Sequence, residues 1–251
     1  MKRFILLLLA TLSIASSLMA QETKEPIVPY EEDILQQTLS TSSPYYYTNL
    51  MLKYKLGTEA MTDMEYYYLY YGYVYQESYR PFADNKALDE MMNVMSGINT
   101  SHPTVAQLEA VIELATASME IDPFNPKVLN ILAFAYGSLD DPHREQQYYN
   151  HLNGILRAIE MSGTGLKEES PWHILMVSHA YDLVASKGYA YNEGKVISRN
   201  AVFVPLIKKS GNKTKGYYFD YSRIYMNKPE DYTFKRDRTW QFNNLKPQEY
   251  K

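Results

Sequence analysis

The stretch Tyr45–Tyr79, YYYTNLMLKYKLGTEAMTDMEYYYLYYGYVYQESY, constrains this chain most, because it holds 12 of the 25 tyrosines. A tyrosine brings a large apolar ring and a hydroxyl that needs a partner once buried. Such density has two physical outcomes: a helical core with its polar tips bonded, or an exposed aromatic surface that stacks on a ligand. The spacing divides the stretch in two. Tyr46, Leu50 and Tyr54, with Tyr47 and Met51 beside them, follow helical steps, and Gly57 ends that helix. Thr62 and Glu65 then fit a capping box, Thr62 bonding forward and Glu65 reaching back, which predicts a second helix from Asp63 to Gln76. Its run Tyr66–Tyr75 is aromatic on every face, the pattern of a buried helix, although hydroxyls permit some rings to face water.

The surrounding punctuation predicts more helices. Glu31, Glu32 and Asp33 suit the start of a helix over Tyr30–Leu39, with Ile34, Leu35 and Leu39 at helical spacing. Ser43-Pro44 is placed to open the next one. Asn85–Asn99 carries Leu88, Met91, Met92 and Met95 inward, and Thr104–Glu120 sets Val105, Leu108, Val111, Ile112, Ala115 and Met119 on one side. The segment Ser118–Pro126 resembles the end of a tetratricopeptide repeat, where a helix stops at an Asp-Pro. Pro126–Leu139 then places Leu132, Ala133 and Tyr136 where that repeat expects them, and His143–Met161 completes a hairpin. Glu145 stands where the repeat wants a small residue, and fewer than three repeats are visible, so the expectation is packed hairpins, not an array.

Ser162–Gly165 reads as a glycine turn. Ser170-Pro171 offers a cap and first-position proline for a helix to Ala185. After Gly188 the period changes to two, giving strands over Val196–Ser198, Ala201–Ile207 and Gly216–Ile224, with Lys208–Lys215 as a hairpin loop. Pro205 puts the middle strand at an edge or a bulge. The expected fold is α+β, mainly α: tetratricopeptide-like helical hairpins over 30–187, then a small C-terminal antiparallel β-meander over 188–226 packed on them, then a tail over 227–251.

The first residues point to a compartment. Lys2 and Arg3 precede an apolar run, Phe4–Ile14, and a polar approach to cleavage ends at Ala20, which reads as a signal peptide over 1–20. The apolar part is shorter than the ~20 residues of a spanning helix. No cysteine stands at the cleavage point, so an exported protein of periplasm or exterior is expected, not a lipoprotein, with 21–29 as a mobile lead-in. Without the leader the chain has 23 basic against 29 acidic residues, a net of −6, which opposes a nucleic-acid partner. The absence of cysteine rules out disulfides and thiolate chemistry.

Several motifs together carry a resemblance. Leu69–Tyr73 with Tyr79–Phe82, the helix end Asp122–Asn125, Ile159–Gly165, and Tyr217–Asp220 resemble domain of unknown function 4919. The likeness covers roughly Tyr45–Tyr225. It implies an exported bacterial protein of Gram-negative, gut-type origin, and it carries over no activity and no catalytic residues.

The search for chemistry finds no frame. The five histidines, His102, His143, His151, His173 and His179, form no i, i+4 pair, and no zinc or cofactor motif is present. His173 and His179, six apart on one predicted helix, point in different directions; ordinary, partly exposed histidines are expected. Glu77 adjoins the aromatic run, with Arg80 at ion-pair spacing, and Asp220 alternates outward on a strand. The resulting expectation is a non-enzymatic binding or protein-interaction module, with Tyr67, Tyr70, Tyr71, Tyr75, Glu77 and Arg80 as contact residues in a tyrosine-lined groove. Its partner would be an envelope protein or peptide, or else a glycan. The alternative is a periplasmic hydrolase, possibly glycan-directed, whose carboxylates come from separate elements at glycosidase spacing, ~5–10 Å. A third reading is an envelope component with no small ligand.

Overall fold

The computed structural model describes residues 25–208 and 214–227. The expected leader, the tip of the last hairpin loop and the tail past Asn227 lie outside the described residues.

Local chemistry sets the first three helices. α1 (Glu31–Leu39) begins with three carboxylates at the positive end of its dipole. α2 (Tyr47–Leu56) starts three residues later than Pro44 suggests, because Ser43 Oγ accepts from the Tyr45 N–H at 3.0 Å and holds a turn there. It ends at Gly57, whose φ of 62° suits glycine and whose N–H donates to the Lys53 carbonyl. α3 (Asp63–Gly72) opens with the capping box: Thr62 Oγ1 accepts from the Glu65 N–H (3.2 Å), and Glu65 Oε2 accepts from the Thr62 N–H (2.7 Å). Beyond Gly72 the chain tightens into a 3-10 turn, Tyr73–Tyr75, so the α-helix ends earlier than expected.

α3 is the hub of the core, and its tyrosines explain how. Tyr66 to Tyr71 are all buried, and each hydroxyl ties the helix to a different element. Tyr67 donates to the Ile27 carbonyl (3.1 Å), Tyr68 to Asp33 (3.1 Å), and Tyr71 to the His173 carbonyl (2.9 Å). Tyr66 and Tyr70 reach His151 and His179. The rings pack edge to face, as between Tyr70 and Tyr71 at 5.0 Å and 81°. Phenylalanine would fill the same volume but leave those distant carbonyls and imidazoles unpaired. The Tyr67 bond also ties down the described part of the expected lead-in, residues 25–29. The Ile27 N–H donates to the Met161 carbonyl (2.7 Å), Pro29 is buried, and Arg223 bonds the Pro29 carbonyl.

Two hairpins follow. α4 (Lys86–Ser96) is capped by Asn85, and α5 (Val105–Met119) by a Thr104–Gln107 box. α6 (Pro126–Ser138) and α7 (Pro142–Met161) each have proline in the first turn behind an Asn125 or Asp141 cap. Met92 and Val105, expected inward, face water, while Met91 and Val111 carry the burial. Glu145 is accommodated because Gly137 on α6 lacks a Cβ; one there would lie 2.7 Å from the Glu145 carboxyl carbon. α7 packs on α3 through Gly154, where a Cβ would come within 2.4 Å of the Tyr66 ring. Gly154→Ala gains about 1 kcal/mol of helix propensity and loses about 1–3 kcal/mol to overpacking against a fixed ring. A net destabilisation of about 1 kcal/mol is expected, read as a lower urea midpoint at unchanged slope.

The last third corrects the sequence reading most. Ser170-Pro171 does not open a helix. Trp172–His173 form β1, parallel to β4 (Gly216–Asp220), with Trp172 opposite Phe219 and His173 opposite Asp220. The indole explains this: Trp172 is buried, stacks on Tyr217 at 4.8 Å, and donates Nε1–H to the Gly163 carbonyl at 3.0 Å. The helix, α8 (Val177–Ser186), starts only after that strand. β2 (Lys195–Val196) and β3 (Ala201–Pro205) complete the order β1-β4-β3-β2. The meander β2-β3-β4 is antiparallel as expected, but the parallel β1 makes the whole sheet mixed. Pro205 ends an interior strand, past the reach of the short β2. β4 stops at Asp220, where Oδ1 accepts from the Ser222 N–H (3.0 Å) and starts α9 (Ser222–Met226), so Ile224 is helical.

The fold is therefore α+β and mainly α. One apolar cluster joins α1–α3, α7, α8 and the sheet; a second holds α4–α6, and Met119 and Tyr148 pack against both. Among the described residues, no helix is long and apolar enough to cross a membrane.

Candidate functional site

The six expected contact residues do not form one surface. Tyr67, Tyr70 and Tyr71 are 0% exposed, so the contact role is corrected for them: they are core rings whose hydroxyls serve the fold. Tyr75 is half-buried on the 3-10 turn near Arg223, and Glu77 and Arg80 are exposed just beyond. Glu77 and Arg80 sit past the last helical residue, so the helix-spaced geometry for an ion pair is lost.

Other tyrosines do line a cavity. Where α2 and the turn after α3 meet the end of α5 and the start of α7, a cavity of about 380 Å³ opens. Tyr47, Tyr54, Tyr73 and His151 are its buried floor, and Met51, Met119 and Tyr148 its half-buried walls. Lys55, Ser78, Thr116 and Glu120 form an exposed polar rim. An apolar floor under a polar rim is the anatomy of a recognition pocket. The floor is held rigidly: the Tyr54 hydroxyl donates to the Pro123 carbonyl (2.9 Å), and the Tyr73 hydroxyl is placed between the Ser78 and Ile121 carbonyls (3.1 Å each). Burial pushes the Tyr54 phenol well above its ordinary value and Tyr73 up to about 12, so both remain donors.

His151 is the group in this wall whose bonding is incomplete. Its ring lies against Tyr54 at a centroid distance of 4.0 Å, and Nδ1 is 2.9 Å from the Tyr66 hydroxyl. Burial lowers its pKa to about 4, opposed in part by the Tyr54 carbonyl, so the ring is neutral at pH 7. The Tyr66 phenol, raised above its ordinary value, stays protonated, and in the tautomer in which it donates to Nδ1 the imidazole proton sits on Nε2. That Nε2 is buried, and although the Tyr54 carbonyl pulls on the ring, no acceptor meets hydrogen-bond geometry at Nε2. His151 also borders a neighbouring cavity of about 460 Å³ bounded by Gly57, Met61, Asn150 and Arg157.

A second polar constellation lies on α8. His179, 1% exposed, joins the Tyr70 hydroxyl at Nδ1 (2.8 Å) to Asp122 Oδ2 at Nε2 (3.0 Å), and Asn125 Nδ2 donates to the same Asp122 oxygen (3.0 Å). The Tyr70 oxygen also accepts from the Leu175 N–H at 3.1 Å. This Asp–His–Tyr chain has the connectivity of a proton relay, but its hydroxyl is sealed in the core. One turn on, Asp182 lines two crevices, of about 550 Å³ and 320 Å³, with Lys127 at 3.5 Å. Desolvation raises the Asp182 pKa against the opposing pull of Lys127 and His179, and its Oδ2 is buried without a partner. Near the sheet, His173 and Asp220 sit 3.5 Å apart, and Arg223 reaches His173 Nδ1 (3.2 Å). His173 and His179 thus belong to different elements, and His151 and His179 are buried, against the expectation of partly exposed rings. Asp220 is half-buried and paired, not turned outward.

Sequence reasoning passed over His151 and Asp182. The signal for His151 was present: with Ile155, Ala158 and Ile159 it lies on the inward stripe of α7. Asp182 follows His179 by three residues on the buried face of α8. No set of three or more ligating side chains able to hold a metal occurs among the described residues.

No curated protein and no solved structure matches the chain. A family model does, over residues 32–230, which span the cavity, the crevices and the sheet. On that match the chain belongs to the family of the domain of unknown function DUF4919.

Proposed function

We propose that this chain is an exported, non-enzymatic binding module that receives an aromatic side chain of a partner protein or peptide in the tyrosine-lined cavity. The observation that carries this reading is the unpartnered His151 Nε2 in the wall of an aromatic cavity. A neutral N–H buried without a partner costs about 1–3 kcal/mol, which a ligand acceptor recovers. The floor accepts a ring by edge and face contact, and the neutral imidazole selects one carrying an oxygen. Glu120 is the one carboxylate among the residues lining this cavity, so it lacks the facing pair that glycosidic hydrolysis needs.

The test uses p-cresol and toluene as stand-ins for side chains. Nuclear magnetic resonance of ¹⁵N-histidine-labelled protein should show the His151 ring signals move on titration with p-cresol, with a Kd on the order of 1 mM, ~4 kcal/mol. Thr116→Trp, a change at the exposed rim, should close the cavity and abolish the response while the fold persists. His151→Phe, followed through the backbone amides of uniformly ¹⁵N-labelled protein, should weaken p-cresol several-fold and leave toluene unchanged. If neither compound perturbs His151, the cavity is not a recognition pocket for aromatic groups.

A further inference from the structure

The crevice beside α8 shares none of its lining residues with the tyrosine-lined cavity, and it is built differently. One wall is the ring pair Tyr181–Tyr191, 5.2 Å apart and tilted by 36°. Asp182 and Lys127 also line the crevice, and Asn192 and Glu193 are exposed lining residues. The rings are positioned before any ligand arrives. The Gly194 N–H donates to the Tyr181 hydroxyl at 3.1 Å, and the Asn192 N–H donates to the Pro205 carbonyl at 2.9 Å, so the loop carrying Tyr191 is fixed to both α8 and β3.

Asp182 decides the class of ligand. Its side chain is 7% exposed, and Lys127 approaches Oδ1 at 3.5 Å, while Oδ2 is buried with nothing bonded to it. Lys127 already meets the negative charge, so what remains open at Oδ2 is a hydrogen-bond valence and not a charge to be neutralised. A neutral hydroxyl fits that need, whereas an ammonium would compete with Lys127 and an anion would meet Asp182 and Glu193. Half-buried tyrosine faces next to a hydroxyl acceptor suit a molecule with one apolar C–H face and a polar edge. Pyranose rings have that form. We propose that this crevice binds a sugar residue, with its C–H face on Tyr181 and Tyr191 and a ring hydroxyl donating to Asp182 Oδ2. The site is independent of the aromatic-side-chain reading.

The experiment is a titration of the ¹⁵N-labelled full chain with methyl β-D-glucoside, methyl β-D-galactoside and N-acetylglucosamine, with ethylammonium as a cationic control. At least one sugar should shift the Tyr191, Asn192 and Glu193 amides with a Kd on the order of 1 mM, and ethylammonium should not displace it. Tyr191→Ala, which removes a half-buried ring at the edge of the core, should weaken binding about five- to tenfold in a protein whose amide spectrum remains that of the folded chain, and Asp182→Asn, which replaces one acceptor oxygen with a donor, about tenfold. Thr116→Trp should leave sugar binding unchanged, which separates failure here from failure of the tyrosine-lined cavity. The proposal is overturned if none of the three sugars shifts these amides, if ethylammonium binds in their place, or if Tyr191→Ala binds as the native chain does.

Discussion

His179→Phe is expected to lower stability by about 3–5 kcal/mol, the cost of breaking a buried pair on one side, and to lower the Tm by about 10 °C for a chain of this size. The cost arises at both ends of the ring. Asp122 is 5% exposed, and its Oδ2 accepts from the imidazole and from Asn125 Nδ2; removing the imidazole leaves this desolvated carboxyl only Asn125 on Oδ2 and a long bond, 3.4 Å, from the Phe124 N–H on Oδ1. At the other end the Tyr70 hydroxyl loses its acceptor in a site with no exposure. One arrangement of protons satisfies every group: the Leu175 N–H donates to the Tyr70 oxygen, Tyr70 donates to Nδ1, and Nε2–H donates to Asp122. Tyr70→Phe removes the middle of this chain and is expected to cost about 2–3 kcal/mol. The double variant should cost about 1–3 kcal/mol less than the two single effects added, because they share one bond. Thermal and urea unfolding of the four proteins measures this. A His179→Phe protein within about 1 kcal/mol of native would show that the chain contributes no more than ordinary packing.

The same residues show how far the sequence could be read. The hub helix was legible because its signals are local: the Thr62–Glu65 box opens it, and aromatic residues on every face mark it as buried. Gly57 and Pro126 were legible for the same reason. Trp172 was not. Its strand exists because β4, far along the chain, supplies a parallel neighbour and Gly163 an acceptor, and neither is written in Ser170-Pro171-Trp172. The candidate site failed in the reading for a related reason. Tyr70 and Tyr73 have the same composition and similar spacing; what separates a sealed core ring from a cavity floor is the position of α5 and α7, which only tertiary packing fixes. The cavity's tyrosines come from three segments, with Tyr47 and Tyr54 on α2, Tyr73 after α3 and Tyr148 on α7.

Acid should reach the fold first through His151. The unfolded chain takes up a proton on this residue near its ordinary value of 6.5, while the folded chain resists until about 4. Between those values the unfolded state holds more protons, so stability is complete above pH 6.5 and falls as pH drops towards 4. The interval corresponds to about 3 kcal/mol. Asp182, raised by desolvation, works in the opposite direction and gains stability on acidification, whereas Asp220 and Glu65, lowered by their partners, lose theirs at more acidic pH than His151. The urea midpoint should therefore drop between about pH 7 and about pH 4.5, and His151→Phe, less stable at neutral pH because Tyr66 loses its acceptor, should show a much flatter profile. A profile as steep in that variant would assign the acid sensitivity to other groups. The same proton links stability to recognition. An imidazolium carries hydrogen on Nδ1 as well as Nε2, so the Tyr66 hydroxyl would have to turn its own hydrogen away to accept from it. A bound acceptor at Nε2 takes a stronger hydrogen bond from the cation than from the neutral ring and so favours protonation. Saturating p-cresol should therefore raise the apparent pKa of His151, and affinity should rise as pH falls until the fold itself gives way.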